Sequence, residues 1–326
     1  LFTLNNISIS NQTKHFILIH INKNKLKKKK TMSTTLDQTP EDLEKQQKQQ
    51  KSLNVDFKKY QIKNNTYRNH TVAFLGEFFG TFMFLFIAFA IAQNANSYPV
   101  LQESVYTDDP TKFTVNPAKV IMIALGFGFG LTVAIYFVLF TGGNLNPNVS
   151  LALVLIGAIS FVRFVVMVIA QILGGIAAAA VVYSLYPGEV LFANGKSEAI
   201  SKARGLFLEM FGTAVLVLTV LFTAVERTIN IAPLIIGISV FMAHMILVPT
   251  TGASINIARS LGPQIVASKQ GWPVYFWIYI VGPSLGSFLS VGVYKLLKFL
   301  NYETCSAASD NVDLIDSKER LIDENQ

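Results

Sequence analysis

Cysteine is nearly absent from this sequence, and charged residues are scarce. The single cysteine, Cys305, excludes an intrachain disulfide framework and any metal site built from several thiolates. We therefore expect no redox chemistry, no cofactor and no bound metal, and the sequence does not predict an enzyme. Charged residues make up only 14% of the 326 residues, whereas hydrophobic residues make up 51%. The apolar runs are too long for a soluble core of this size, so we predict an integral membrane protein.

The formal net charge of +7 lies entirely in the first 31 residues. That stretch holds seven lysines and no acidic residue, which leaves 20 basic and 20 acidic residues in the rest of the chain. Two interpretations stay open: residues 1–31 are translated from upstream of a start at Met32, or they form a polybasic arm that binds anionic lipid. With charge balanced elsewhere, no nucleic-acid partner is expected.

Six apolar windows are long enough to cross roughly 30 Å of hydrocarbon at about 1.5 Å per residue. They cover residues 71–93, 118–140, 163–183, 204–225, 232–248 and 273–298. The windows predict six transmembrane helices in a membrane domain of residues 71–300. The polar segments outside it, residues 1–70 and 301–326, are predicted to be disordered tails.

Two short segments, Thr141–Ser150 and Thr251–Ser260, are versions of one another and follow the second and fifth windows. Each places an asparagine, Asn146 or Asn256, where a new helix begins, and Pro147 suits the first helical position. The apolar stretches that follow, residues 149–158 and 257–267, are too short to span a membrane. We predict two re-entrant half-helices, which are tolerated at membrane depth only where they line a cavity. The sequence therefore predicts a pore or a buried solute site.

An internal repeat relates the two halves of the domain, residues 71–183 and 204–298. Residues 77–81 return as 209–213, and residues 171–174 return as 283–286, which is 112 positions later and close to the 110 that separate Asn146 from Asn256. Three spans in each half place the second copy upside down in the membrane. The half-helices are then expected to enter from opposite faces and to meet near the bilayer midplane.

An even number of spans places both tails on one side of the membrane. The segment before the first span is rich in lysine, so the positive-inside rule predicts that both termini are cytosolic. We expect the plasma membrane, with an internal membrane as the alternative. The N-terminal tail, with Tyr60 and Tyr67, is a candidate gate over a mouth near Gly142 and Gly143. A tail without any effect on flux is the other possibility.

Together these elements resemble the aquaporin (major intrinsic protein) family over about residues 71–300, and residues 187–194 and 204–212 resemble the fungal water channels. The resemblance implies an all-α membrane fold, a right-handed bundle of six transmembrane helices plus two re-entrant half-helices. It also implies a homotetramer in membrane lipid, with one pore in each subunit and water as the permeant.

The resemblance also implies the site residues. The central pair is Asn146 and Asn256, whose amides would donate hydrogen bonds to a passing water. The narrower outer filter falls on His244, Ala253 and Arg259, together with an aromatic residue of the second span. Strict counting back from Asn146 points to Gly126 for this last position, whereas the local Gly-Phe pattern favours Phe127.

The two central motifs depart from the family's repeated Asn-Pro-Ala. The first is Asn146, Pro147 and Asn148, and the second is Asn256, Ile257 and Ala258. Ile257 adds an N–H group that needs a partner at a helix start, and Asn148 is larger and more polar than alanine. We expect both asparagine caps to persist and water to pass, with the rate left open.

Two acidic residues inside the spans, Glu77 and Glu209, have two possible roles. They could carry protons, or they could accept hydrogen bonds from the N–H groups of the re-entrant loops, and we favour the second role. For the whole chain we predict a passive water channel that excludes ions and protons. The alternatives are a facilitator of another small neutral solute, such as glycerol, and a non-conducting membrane packing protein.

Overall fold

The computed structural model describes residues 66–97 and 116–305, and these residues form helices joined by short irregular segments, without a β-strand among them. The predicted tails therefore lie almost wholly outside the described residues. Eight α-helices make up this part of the chain: α1 (Thr66–Ser97), α2 (Pro117–Phe137), α3 (Pro147–Leu155), α4 (Phe161–Leu185), α5 (Lys202–Val220), α6 (Ala232–Leu247), α7 (Ile257–Val266) and α8 (Ile278–Phe299). One π-helical turn, Leu221–Glu226, extends α5, and single 3₁₀ turns lie at Leu139–Thr141, Ser268–Gln270 and Tyr302–Thr304.

Six of these helices correspond to the six predicted spans. Within the described residues, α1, α2, α4, α8 and α5 with its π-helical turn are long and apolar enough to cross a membrane. The sixth, α6, has 16 residues and is about 24 Å long, which is shorter than an average span. Many side chains on the outside of the bundle are large and apolar, such as Phe129 (56% exposed) and Phe211 (57% exposed), as expected of a surface that faces lipid.

The ends of the helices differ from the ends of the apolar windows. Helix α1 begins at Thr66, before the window that opens at residue 71, and α8 begins at Ile278, after the predicted start at residue 273. The length of an apolar window reflects the thickness of the hydrocarbon layer that the segment crosses, whereas capping residues and turns determine where the helix begins. Asn116, for example, accepts a hydrogen bond from the N–H of Ala118 and so starts α2 at Pro117.

The two halves of the chain repeat the same helix crossing. Helix α1 packs along α4, and α5 packs along α8. A Cβ atom on Gly174 of α4 would lie 2.6 Å from the carbonyl oxygen of Phe78, and one on Gly286 of α8 would lie 2.4 Å from the carbonyl oxygen of Met210. Because no side chain fits either contact, glycine allows the paired backbones to touch in both halves.

Each half-helix packs against the opposite half of the protein. Helix α3 lies against α8 as well as α4, and α7 lies mainly against α4. A Cβ atom on Gly262 of α7 would come within 2.4 Å of the carbonyl oxygen of Gly175 in α4. Helices α2 and α6 close the bundle by packing on each other across the two halves. The predicted fold, six helices and two half-helices arranged as an inverted repeat, is confirmed.

The end of α5 is tied to the end of α8 by polar contacts. The Glu226 carboxylate accepts hydrogen bonds from the Tyr294 hydroxyl (2.7 Å) and from Lys298 Nζ (2.5 Å). Lys298 also pairs with Glu303, and this hydrogen bond holds the pKa of Glu303 below its usual range. The π-helical turn between Leu221 and Glu226 is thereby fixed to the last described segment.

Candidate functional site

The backbone that leads into each half-helix adopts left-handed conformations at matching positions. Leu145 and Ile255, the residues before the two asparagines, have φ values of 51° and 44°. Residues other than glycine rarely adopt this backbone conformation, and each one raises the free energy of the folded state by about 1–3 kcal/mol. Three pairs separated by 110 positions share the feature: Gly142 (105°) with Gly252 (76°), Gly143 (60°) with Ala253 (56°), and Leu145 with Ile255.

Two fully buried carboxylates hold these strained loops. Glu77 accepts hydrogen bonds from the backbone N–H groups of Asn144 and Leu145, at 3.0 and 2.8 Å. Glu209 accepts the equivalent bonds from N–H groups 254 and 255, both at 2.9 Å. Each carboxylate therefore satisfies two donors that would otherwise be buried without a partner.

Side-chain donors complete the surroundings of both carboxylates. Gln171 donates to Glu77 Oε2 (2.7 Å) and to the Ser150 hydroxyl (2.9 Å), and the Thr251 hydroxyl donates to Glu209 Oε1 (2.5 Å). In the contacts made by Glu77 and Glu209, the carboxylate is the acceptor. The arrangement favours a loop-holding role over proton transfer, because both carboxylates are engaged by loop N–H groups and neither lines the cavity.

Asn146 and Asn256 each do two things at the point where the half-helices meet. As N-caps, their side-chain oxygens accept hydrogen bonds from N–H groups of their own helices, Asn148 N in α3 (2.8 Å) and Ala258 N in α7 (2.9 Å). Their amide nitrogens donate across the junction, from Asn146 to the carbonyl of residue 255 (2.9 Å) and from Asn256 to that of residue 145 (3.0 Å). An amide nitrogen carries two hydrogens, so each asparagine keeps a second donor.

The two departures from the Asn-Pro-Ala pattern lie in contact with each other. The side-chain oxygen of Asn148 accepts a hydrogen bond from the N–H of Ile257 at 3.1 Å. The Ser287 hydroxyl of α8 donates to the backbone carbonyl of Asn148 at 2.8 Å. Neither Asn148 nor Ile257 lines the central cavity, so both face away from the path of a solute.

A cavity of about 420 Å³ extends through the bundle past both asparagines. One end lies between the segment after α2 and the loop from α5 to α6, where Gly142, Gly143 and Asn230 line it. Apolar side chains form most of its wall. At the far end it is bounded by three of the predicted filter residues, Phe127, His244 and Arg259.

These three residues contact one another directly. The rings of Phe127 and His244 are stacked with their centroids 4.2 Å apart and their planes 24° apart. The Arg259 guanidinium carbon lies 4.9 Å from the centroid of the Phe127 ring, a favourable cation–π distance. The fourth predicted residue, Ala253, is fully buried in the loop before α7 but does not line the cavity.

Of the two alternatives for the second-span position, Phe127 is the one that lies beside His244. A Cβ atom on Gly126 would lie 2.8 Å from the Ile91 side chain, so Gly126 faces α1 and serves helix packing. Phe127, one residue later, is fully buried against His244. A rotation of about 100° per residue separates the two directions.

The two ring nitrogens of His244 differ in their partners. Its Nδ1 lies 2.9 Å from the carbonyl of Val240, and a carbonyl only accepts, so Nδ1 carries the hydrogen. Nε2 is buried and has no hydrogen-bond partner among the described residues. In the neutral imidazole, Nε2 is therefore an acceptor whose capacity is unused within the described residues.

Arg259 is held by two carbonyl groups. Nη1 donates to the carbonyl of Phe192 (2.9 Å) and Nη2 to that of Gly252 (3.4 Å). Phe192 lies in the loop between α4 and α5, and its ring stacks on Phe89 with centroids 4.9 Å apart. This loop therefore supplies one support of the filter arginine, which satisfies part of an otherwise costly buried cation.

Gln93 at the end of α1 fixes that loop. Its nitrogen donates to the carbonyl of Glu189 (3.0 Å) and its oxygen accepts from the N–H of Leu191 (2.9 Å). Asn194 follows, donating to the Gly252 carbonyl (2.9 Å) and accepting from the Ser260 hydroxyl (2.8 Å). These supporting roles were not predicted from the sequence. The only local signal for Gln93 is that it is a polar residue at the end of an apolar span.

The predicted gate residues are only partly described. Gly142 and Gly143 line the cavity at the end near the segment after α2. Tyr67 lies in the first turn of α1 and is 85% exposed. Tyr60 lies outside the described residues, so gating by the N-terminal tail stays a prediction.

Comparison with known proteins identifies one family. The family model described as Major intrinsic protein matches residues 64–294. Aquaporin-2 of Saccharomyces cerevisiae is 49% identical over 249 residues, 76% of this chain and 83% of the relative. Aquaporin-1 of Gibberella zeae is 42% identical over 257 residues, 77% of each chain. The X-ray structure of the aquaglyceroporin from Plasmodium falciparum has the same fold, with a TM-score of 0.59, 22% identity, and coverage of 69% of this chain and 95% of that one.

Proposed function

This chain belongs to the major intrinsic protein family and is therefore a transmembrane channel rather than an enzyme, and we propose that it is selective for water. The observation that carries the proposal is the cluster of Phe127, His244 and Arg259 in the wall of the cavity, where each side chain contacts another. Three large side chains packed together leave room beside them only for a small permeant, and water is smaller than glycerol.

The polar groups along the path suit a single file of water. Each pore asparagine keeps one amide hydrogen, and His244 offers an unpaired acceptor nitrogen. Water exchanges its bulk hydrogen bonds for bonds to such groups at little cost. Most of the remaining wall is apolar, so it holds the file only weakly between these points.

Cations meet an electrostatic barrier near the two asparagines. The N-termini of α3 and α7 each add roughly half a positive charge near the central asparagines. A cation about 5 Å from their sum, at an effective dielectric near 20, meets about 3 kcal/mol of repulsion. Lost hydration and the charge of Arg259 add to this barrier, so ions and protons are excluded.

We propose further that the channel is a homotetramer in membrane lipid, with both termini in the cytosol. The apolar outer surface supports contact with lipid or with neighbouring subunits. The lysine-rich segment before α1 supports the orientation. On this assignment the mouth with Gly142 and Gly143 is cytosolic, the membrane domain covers residues 71–300, and the plasma membrane is the expected location.

Stopped-flow shrinkage of proteoliposomes tests the selectivity, with water and glycerol compared on the same preparation. We expect fast water flux and glycerol flux at the level of empty vesicles. Arg259→Ala should raise glycerol flux roughly tenfold, which corresponds to about 1.4 kcal/mol of barrier. Arg204→Ala, at an exposed position near the start of α5, is the matched control and should change neither flux.

Two results would contradict the proposal. Glycerol flux in the unaltered protein well above that of empty vesicles would favour a small-solute facilitator. Water flux no faster than in empty vesicles, with folded protein present, would favour a non-conducting packing protein.

A further inference from the structure

The two half-helices begin differently. Helix α3 starts with Pro147, which has no N–H, so its first position needs no hydrogen-bond acceptor. Helix α7 starts with Ile257, which has one. The cap of α7, Asn256, uses its side-chain oxygen for the N–H groups of Ala258 (2.9 Å) and Arg259 (3.3 Å), so it does not serve Ile257.

A residue of the other half-helix supplies the missing acceptor. The side-chain oxygen of Asn148 lies 3.1 Å from the N–H of Ile257, and a backbone N–H can only donate. Asn148 is fully buried, and its amide nitrogen has no hydrogen-bond partner among the described residues. Within the described ranges, the contact with Ile257 is thus the only hydrogen bond of this side chain.

We propose that Asn148 is a positioning residue for the pore, and that Asn148 and Ile257 are one coupled unit. An isoleucine at position 257 creates a buried donor at the start of α7, and an asparagine at position 148 satisfies it. Proline at 257 with alanine at 148 would contain neither the donor nor the acceptor. The pair therefore preserves the junction with a hydrogen bond that proline and alanine would not form. Each residue is stabilising only when the other is present.

The location of the pair explains how it acts on conduction. Both residues lie off the cavity, so they do not contact a permeant. Asn148 lies two positions after Asn146, and Ile257 directly follows Asn256. Their bond ties the start of α7 to α3, and two asparagine bonds also cross the junction. Asn148 therefore acts through the alignment of the pore asparagines.

A double-mutant cycle tests the coupling, with Asn148→Ala, Ile257→Pro and the double variant. The first variant leaves the Ile257 N–H unsatisfied, and the second leaves the Asn148 oxygen unsatisfied. Each should lower the thermal midpoint of the purified protein by on the order of 5 °C and reduce its water permeability in proteoliposomes. The double variant should recover at least half of the loss seen in Asn148→Ala for both measurements.

Ile257→Ala is the matched control, since it removes the same side chain as Ile257→Pro but keeps the N–H. It should retain a thermal midpoint well above that of Ile257→Pro.

A double variant whose loss equals or exceeds the sum of the single losses overturns the proposal. If Asn148→Ala cannot be purified in a folded state, recovery of folded double variant supports the coupling, and its equal failure contradicts it. The thermal measurement is independent of which solute the channel conducts.

Discussion

The ring of Phe127 lies flat against the imidazole of His244, with their centroids 4.2 Å apart. One residue comes from α2 in the first half of the chain and the other from α6 in the second half. Both rings, with Arg259 beside them, line the cavity. Both halves of the chain therefore contribute to the proposed filter.

Replacing Phe127 with alanine should admit larger solutes. The change removes one of the touching rings, and we expect glycerol permeability in proteoliposomes to rise roughly tenfold, equivalent to about 1.4 kcal/mol. Phe129→Ala removes the same side chain two residues later, on the outside of the bundle, and should leave glycerol excluded. Equal glycerol flux in the two variants would show that Phe127 does not limit the pore.

Replacing Gln93 with leucine should loosen the filter from a distance. Leucine cannot make the two hydrogen bonds that fix the loop before Phe192, and the Phe192 carbonyl supports Arg259. We expect a lower thermal midpoint and a glycerol flux a few-fold above that of the unaltered protein. Gln264→Leu is the control, because Gln264 is also buried and bonded to a backbone carbonyl, that of Gly271. It should lower stability without a glycerol leak, and a leak of the same size in both variants would refute the link to Arg259.

Replacing Glu209 with glutamine should destabilise the loop before α7. The amide has a single acceptor oxygen, and its NH₂ group would face one of the two N–H donors that the carboxylate now accepts. We expect a loss of about 1–3 kcal/mol in the free energy of unfolding, measured by denaturation in detergent. Glu189→Gln makes the same change at an exposed side chain and should have no effect. Unchanged stability in Glu209→Gln would argue against the loop-holding role.

The contacts of Lys298 predict unequal effects of two similar substitutions. Glu226→Gln weakens the bonds from both Tyr294 and Lys298 and should lower the thermal midpoint by about 2–4 °C. Glu303→Gln removes only the more exposed partner and should leave the midpoint unchanged. Because the pKa of Glu303 is lowered, its ion pair with Lys298 is fully formed at any pH above the ordinary pKa of a carboxyl group. The ion pair is lost as the pH falls through the lowered pKa. A larger effect of Glu303→Gln would reverse this ranking.

Most of the architecture follows from local sequence. Long apolar runs identify the spans, and two asparagine caps followed by short apolar stretches identify α3 and α7. The predicted half-helix at residues 257–267 differs from the observed Ile257–Val266 by one residue. These features depend on hydrophobicity and capping, which act within a few residues of the chain.

The supporting contacts were not predictable in the same way. The bond between Asn148 and Ile257 joins residues 109 positions apart, and the contact of Gln93 with Leu191 spans 98. The sequence revealed that Ile257 has an unmatched N–H but not which residue would accept it. The direction of Phe127 also depended on the rotation of α2, since counting back from Asn146 pointed to Gly126 whereas the local Gly-Phe pattern favoured Phe127.

The reciprocal bonds between the two pore asparagines and the opposite loops have a mechanical consequence. Asn146 and Asn256 each donate to the other loop, so a closed pair of hydrogen bonds joins the starts of the two half-helices. Stretching the membrane pulls helices apart from the outside, whereas this pair joins the two halves from the inside. Widening at mid-depth requires both bonds to break together, so lateral tension is expected to alter the ends of the channel before its middle.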